Sequence, residues 1–263
     1  MFSHTAPPRP HRTSERETRD TRDAHVALRR DAAFAMACTG LGLVAAAAGV
    51  TVAAGMGAWF VPKAIAVFGV ASALVWRALP THAPQRRFGA ANGITLFRLA
   101  LVALLAAGVG EPALQTPLLA WCAVVLATVG ALLDAADGAI ARRRGQGSDF
   151  GARFDMETDA LLIAVLSVLV LALDKTGAWV LAAGALRYAF VLAAGAWPWL
   201  AAPLPPSVRR KTVCVVQIVT LIVCLGPIVT PGWASVIAGA GLAALACSFG
   251  VDILALARRR PRS

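Results

Sequence analysis

Apolar residues in this chain run in long blocks broken by short polar stretches. With about 20 residues needed per bilayer crossing, eight blocks qualify as membrane spans: 32–53, 58–79, 91–110, 114–135, 153–173, 177–200, 212–230 and 233–256. The pattern lacks the short alternating strands of a membrane barrel, so an all-α polytopic membrane protein is expected. Gly and Ala are abundant inside the blocks, and small residues let helices approach closely; this predicts a compact bundle. Pro-containing stretches at 81–89 and 197–207 predict connectors before the third and seventh spans. Residues 1–31 hold seven Arg, five acids and three Pro without an apolar run, which predicts a disordered basic tail. The block after Arg30 is too long for the core of a secretory leader and is followed by another span, so it is expected to stay as a membrane helix.

Composition agrees with this picture: 58% of residues are hydrophobic and only 15% charged, against about 25% charged in soluble domains. The net charge of +11 raises the question of nucleic acid. The 25 basic residues, however, are scattered between spans without interleaved aromatics, which argues against such a partner. With the N-terminus cytoplasmic, Arg86, Arg87, Arg142 to Arg144, Arg209 to Lys211 and the basic cluster at 258–262 all fall on one side, and only Lys63 and Lys175 fall opposite. That asymmetry predicts both termini in the cytoplasm. Cys38, Cys122, Cys214, Cys224 and Cys247 lie inside apolar blocks without CxxC spacing and read as small apolar fillers. The four His lie in the tail or in one connector, unsuited to a zinc site.

Against this background the stretch LLDAADGAIARRRGQGSDFGARFDMETDA, 132–160, stands out, because it holds six of the chain's 14 acidic residues. At about 100° per residue, Asp134, Asp137, Gly138 and Ala141 form one stripe on the fourth span, with Arg142 at its edge. Gly151, Asp155 and Asp159 form a stripe on the fifth, and the intervening GQGSD supplies turn glycines and a helix-starting Ser or Asp. Two antiparallel helices thus place four carboxylates face to face. Such a group repels itself and is costly to desolvate, so a positive partner is required. Oxygen ligands without His or thiolate point to Mg²⁺ or Mn²⁺, one ion or two. Gly138, Ala141 and Gly151 leave room for a flat group, and Arg142 can neutralise a phosphate.

The pattern D134-x2-D137-G138-x2-A141-R142-x8-G151-x3-D155-x3-D159 matches without departure the signature of the CDP-alcohol phosphatidyltransferase family, which the chain therefore resembles. At eight fixed positions a chance match at a given start is on the order of 10⁻¹⁰. The resemblance implies a six-helix catalytic core over 91–257. It also implies transfer of a phosphatidyl group from a CDP-linked lipid such as CDP-diacylglycerol to an acceptor hydroxyl, with release of CMP, in phospholipid biosynthesis. By motif position, Asp134, Asp137, Asp155 and Asp159 would bind the metals, two ions being expected, and Asp159 would act as the general base. Gly138, Ala141, Arg142 and Gly151 would form the CDP pocket. Residues 32–79 are then an accessory transmembrane hairpin, 80–90 a cytoplasmic linker, and 258–263 a basic cytoplasmic C-terminus.

Two further features bear on the acceptor. ANGITLFRLAL, 91–101, resembles the PNxxTxxR entry to the first core helix of phosphatidylglycerophosphate and cardiolipin synthases, with Ala91 in place of Pro. It adds Asn92 and Thr95 to the CDP pocket and Arg98 to the acceptor site. Arg187 inside the sixth span and Lys211 at the start of the seventh are further acceptor candidates, since a buried cation needs an anionic partner. KTVCVVQ resembles a Lys-Thr…Gln pattern of glycerophosphate-using members, with Gln217 two residues further on. Glycerol 3-phosphate is the expected acceptor; phosphatidylglycerol, as in cardiolipin synthases, an inositol phosphate or an amino alcohol are the alternatives. A divalent-cation transporter would also place Asp between helices, but it has no use for the small residues and Arg142. A homodimer is a further expectation from the resemblance.

Overall fold

The computed structural model describes residues 11–259 apart from 83, 84, 86, 145–147 and 203–206, and of 11–20, 135–144 and 201 the backbone alone. Among the described residues the chain is all-helical, with eight α-helices and four short 3₁₀ turns. The helices are α1 (His11–Ala54), α2 (Phe60–Ala78), α3 (Ala90–Ala107), α4 (Pro117–Arg144), α5 (Asp149–Ala172), α6 (Leu181–Ala196), α7 (Val208–Leu225) and α8 (Pro231–Arg258).

Six of the eight, namely α1 from Thr21 on, α2, α3, α4, α6 and α8, are long and apolar enough to cross a membrane. The two that fall short, α5 and α7, do so for their charges: Asp155, Glu157 and Asp159 on α5, and Arg209, Arg210 and Lys211 on α7. α5 nevertheless packs inside the bundle, and Leu162, Leu166, Leu169 and Val170 on it are at most 1% exposed. The outer faces of the bundle show the reverse of a soluble protein. Phe34, Leu41, Leu74, Leu192 and Ile228 are each more than 60% exposed, as lipid-facing side chains must be. The chain is an integral membrane protein.

The N-terminal region departs from expectation. Where a disordered tail was expected over 1–31, α1 runs unbroken from His11 to Ala54, while residues 1–10 lie outside the described residues. No Gly or Pro falls between 11 and 39, and opposite charges recur four residues apart along this stretch, a pattern that supports a helix without any apolar run.

The hairpin of α1 and α2 packs on α3, and Phe60, Phe68, Leu96, Leu99, Phe150 and Phe154 join it to the rest in one apolar cluster. Polar bonds hold both of its ends. At one, the Phe88 amide donates to Asp31 at 2.8 Å. At the other, the Lys63 ammonium donates to Glu111 at 2.7 Å and to the Val109 carbonyl at 2.8 Å, while the Gly57 amide donates to the second Glu111 oxygen at 2.8 Å. A second cluster, with Val102, Leu166, Leu169, Leu221 and Leu225 at its centre, binds α3, α4, α5, α7 and α8. Gly184 lets α6 touch α5: a Cβ there would lie 2.6 Å from the Ala164 Cα.

Candidate active site

The site is assembled where α3, α4 and α5 meet. Ser148 starts α5, its hydroxyl accepting from the Gly151 amide at 3.0 Å, and thereby satisfies one of the free donors of the first turn. Asp155 and Asp159 follow on one face, four residues apart. Asp134 arrives from α4, and carboxylate oxygens of the three lie within 4.8 Å of one another.

Arg98 of α3 enters this group. Its side chain is 1% exposed. Nη1 lies 2.5 Å from Asp155 Oδ1 and 3.1 Å from Asp134 Oδ1, Nη2 donates to Asp159, and Nε donates to the Gly130 carbonyl at 3.1 Å. The planar guanidinium suits this role because it presents several donors in a fixed fork. Among the described residues three carboxylates meet one guanidinium, an excess of two negative charges. The surplus, and a donor set made only of oxygen, fit a hard divalent cation. Asp137, Gly138, Ala141 and Arg142 sit on the final turns of α4, outside the residues whose side chains are described.

Asn92 and Gly151 meet at the edge of this group. Asn92 donates to the Phe88 carbonyl at 2.6 Å, and a Cβ on residue 151 would lie 2.9 Å from its Oδ1 and 3.2 Å from the Ser148 hydroxyl. A side chain at 151 would therefore have to displace the Asn92 amide. Thr95, one turn further along α3, is buried and donates to the Ala91 carbonyl at 3.2 Å.

A cavity of about 830 Å³ opens beside the acids, within the range of about 300–1,000 Å³ usual for ligand sites. Asp134, Asp155 and Asp159 line it together with Arg187, Arg210 and Lys211. Of the three residues expected at the acceptor, Arg187 and Lys211 thus reach the cavity, while Arg98 sits among the carboxylates. Arg187 also donates to Glu157.

Two residues that sequence reasoning passed over complete the basic side. Asp252, 8% exposed on α8, accepts from Arg209 at 2.5 Å and lies 3.6 Å from Arg210. Ser248, one turn earlier, takes Arg209 through its carbonyl at 2.7 Å and its hydroxyl at 2.5 Å. An acid within the last apolar block was the available signal, since membrane-embedded charges mark function by default.

A family model described as CDP-alcohol phosphatidyltransferase matches residues 88–251, which spans α3 to α8 but neither helix of the hairpin. No curated protein and no solved structure matches the chain.

Proposed function

The chain belongs to the CDP-alcohol phosphatidyltransferase family, since the match covers well over half its length, and from that premise we propose glycerol 3-phosphate as the acceptor of its transfer reaction. Membership makes it a metal-dependent phosphotransferase that uses a CDP-alcohol donor and an alcohol acceptor; a cation path is thereby set aside.

The observation that carries the acceptor is the composition of one cavity. Asp134, Asp155 and Asp159 line it together with Arg187, Arg210 and Lys211. An acceptor with its own phosphate needs both kinds of lining: carboxylates around the reacting phosphoryl group and cations for the second phosphate. Asp252 lines the cavity as well, 3.6 Å from Arg210, and Arg187 pairs with Glu157. Phosphatidylglycerol also carries a phosphate, and its use is the second reading, since Leu245 and Phe249 add apolar lining to the same cavity.

In this reading Asp134, Asp137, Asp155 and Asp159 hold the divalent metal, Mg²⁺ or Mn²⁺, as two ions. When bound, the metal neutralises the donor's pyrophosphate and the departing CMP. Asn92, Thr95, Gly138, Ala141, Arg142 and Gly151 seat the cytidine diphosphate. The acceptor hydroxyl oxygen attacks the phosphorus next to the lipid, a new P–O bond forms, the pyrophosphate P–O bond breaks, and CMP leaves. Asp159 takes the hydroxyl proton. Arg98 fixes the spacing of the carboxylates and lowers their mutual repulsion. The positive-inside asymmetry supports a cytoplasmic site with both termini on that side, and a homodimer fits the family.

The test is an acceptor screen with labelled CDP-diacylglycerol. Glycerol 3-phosphate is expected to give a labelled product lipid, and Arg210→Ala is expected to raise its KM. Turnover with an uncharged or cationic alcohol in place of glycerol 3-phosphate would overturn the assignment.

A further inference from the structure

A second cavity, of about 640 Å³, runs along α2 on the opposite side of α5 and α6. Val67, Val70, Ala71 and Leu74 of α2 form one wall, with Leu99 of α3 and Leu161 of α5 facing them. Polar groups are concentrated at one end. Thr81 follows the end of α2, Arg153 and Glu157 lie in the first turns of α5, and Tyr188 stands beside Glu157. The remaining polar lining residue, Thr158, spends its hydroxyl on the Phe154 carbonyl at 2.9 Å. The cavity is therefore an apolar slot with a polar mouth.

The charge at that mouth is unbalanced. Glu157 is taken by Arg187, a residue that lines the catalytic cavity, so this ion pair stands between the two cavities. Arg153 is exposed and among the described residues enters no ion pair. One cation is thus left at the entrance of an apolar slot in a membrane-embedded bundle, which matches an amphiphile with an aliphatic chain and an anionic head.

We propose that this slot holds one acyl chain of an anionic phospholipid, with its phosphate at Arg153 and with α2 of the accessory hairpin as the outer wall. The pair of Arg187 and Glu157 separates it from the acids, so the lipid is a resident of the fold rather than the donor, and the site does not depend on which alcohol is the acceptor. The hairpin, which the family match leaves out, then has a role in lipid binding.

The test places the full chain in bilayers containing phosphatidylglycerol that carries a photoactivatable group midway along one acyl chain. Adducts are expected to concentrate on residues 66–78 and 154–161 and to disappear in Ala71→Trp, whose bulk fills the slot. Arg153→Gln, a change at an exposed side chain, is expected to lower the preference for phosphatidylglycerol over phosphatidylcholine about fivefold, the weight of one cation at an anionic lipid surface; this variant carries the test if Ala71→Trp does not fold. Adducts spread evenly over lipid-facing positions such as Phe34 and Leu192 would overturn the proposal. So would a wild-type protein that labels equally with both lipids.

Discussion

Two buried charge groups lie at α3, and they are built on different principles. Beyond its C-terminal end, Glu111 faces Lys63, one acid to one base. Both Glu111 oxygens are satisfied, by the Lys63 ammonium and the Gly57 amide, and the ammonium also reaches the Val109 carbonyl. Near its N-terminal half, Arg98 faces Asp134, Asp155 and Asp159, one base to at least three acids, beside a cavity. The first group closes on itself and ties the hairpin to the core. Among the described residues the second holds more acids than bases, and burial of such a surplus is costly unless a cation completes it. A balanced pair suits a strut, and an excess of acids beside a cavity suits a candidate site.

Substitutions can break that distinction. Asp159→Asn is expected to slow CMP release by about 10² to 10⁴, the usual weight of a general base, while CDP-lipid still binds; wild-type turnover would refute the base. Arg98→Met leaves the carboxylates without their internal cation and is expected to cost about 3–5 kcal/mol of stability. Melting curves of the detergent-solubilised protein should show that loss partly recovered by Mg²⁺. A loss that Mg²⁺ leaves untouched would count against the metal site.

Glu111→Gln sharpens the other side of the comparison. It is expected to cost about 1–3 kcal/mol of stability, the range for a buried hydrogen-bonded group losing its charged partner, with no change in turnover. The effect should depend on pH. The bond from Lys63 holds the Glu111 carboxyl below its ordinary 4.5, against the upward push of burial and with help from the Gly57 amide. A depressed folded-state value means that the contribution is complete above about 4.5 and fades as pH falls through the lower folded value. The gap in melting temperature between wild type and Glu111→Gln should therefore narrow in acid. The smallest effect is expected from Arg210→Ala, a rise in KM for glycerol 3-phosphate of about tenfold with kcat little changed.

Sequence periodicity carried the α5 stripe well, because Asp155 and Asp159 stand one turn apart on any helix and Asp134 precedes them on the helix before. Arg98 was harder to place. Its spacing from Asn92 and Thr95 defines a face of α3 but not which helix that face meets, so its position among the acids became visible only with α4 and α5 docked. Asp252 was legible as a charge in an apolar block, yet its partners lie 43 and 42 residues earlier, on α7. The early turns of α1 carry no apolar run to signal them, although helix-forming charged residues without Gly or Pro suffice for a helix. The slot along α2 has no sequence signature, since it is formed between helices by residues that look like ordinary lipid-facing ones.

The central claim is metal-dependent transfer at the surplus carboxylates, and CMP release from CDP-diacylglycerol in the presence of glycerol 3-phosphate tests it most directly. Membranes containing the wild-type protein should release CMP and form a labelled product lipid with Mg²⁺, and both should cease on chelation and slow by about 10² or more in Asp159→Asn. CMP release that persists without divalent metal, or in Asp159→Asn at the wild-type rate, would contradict the account.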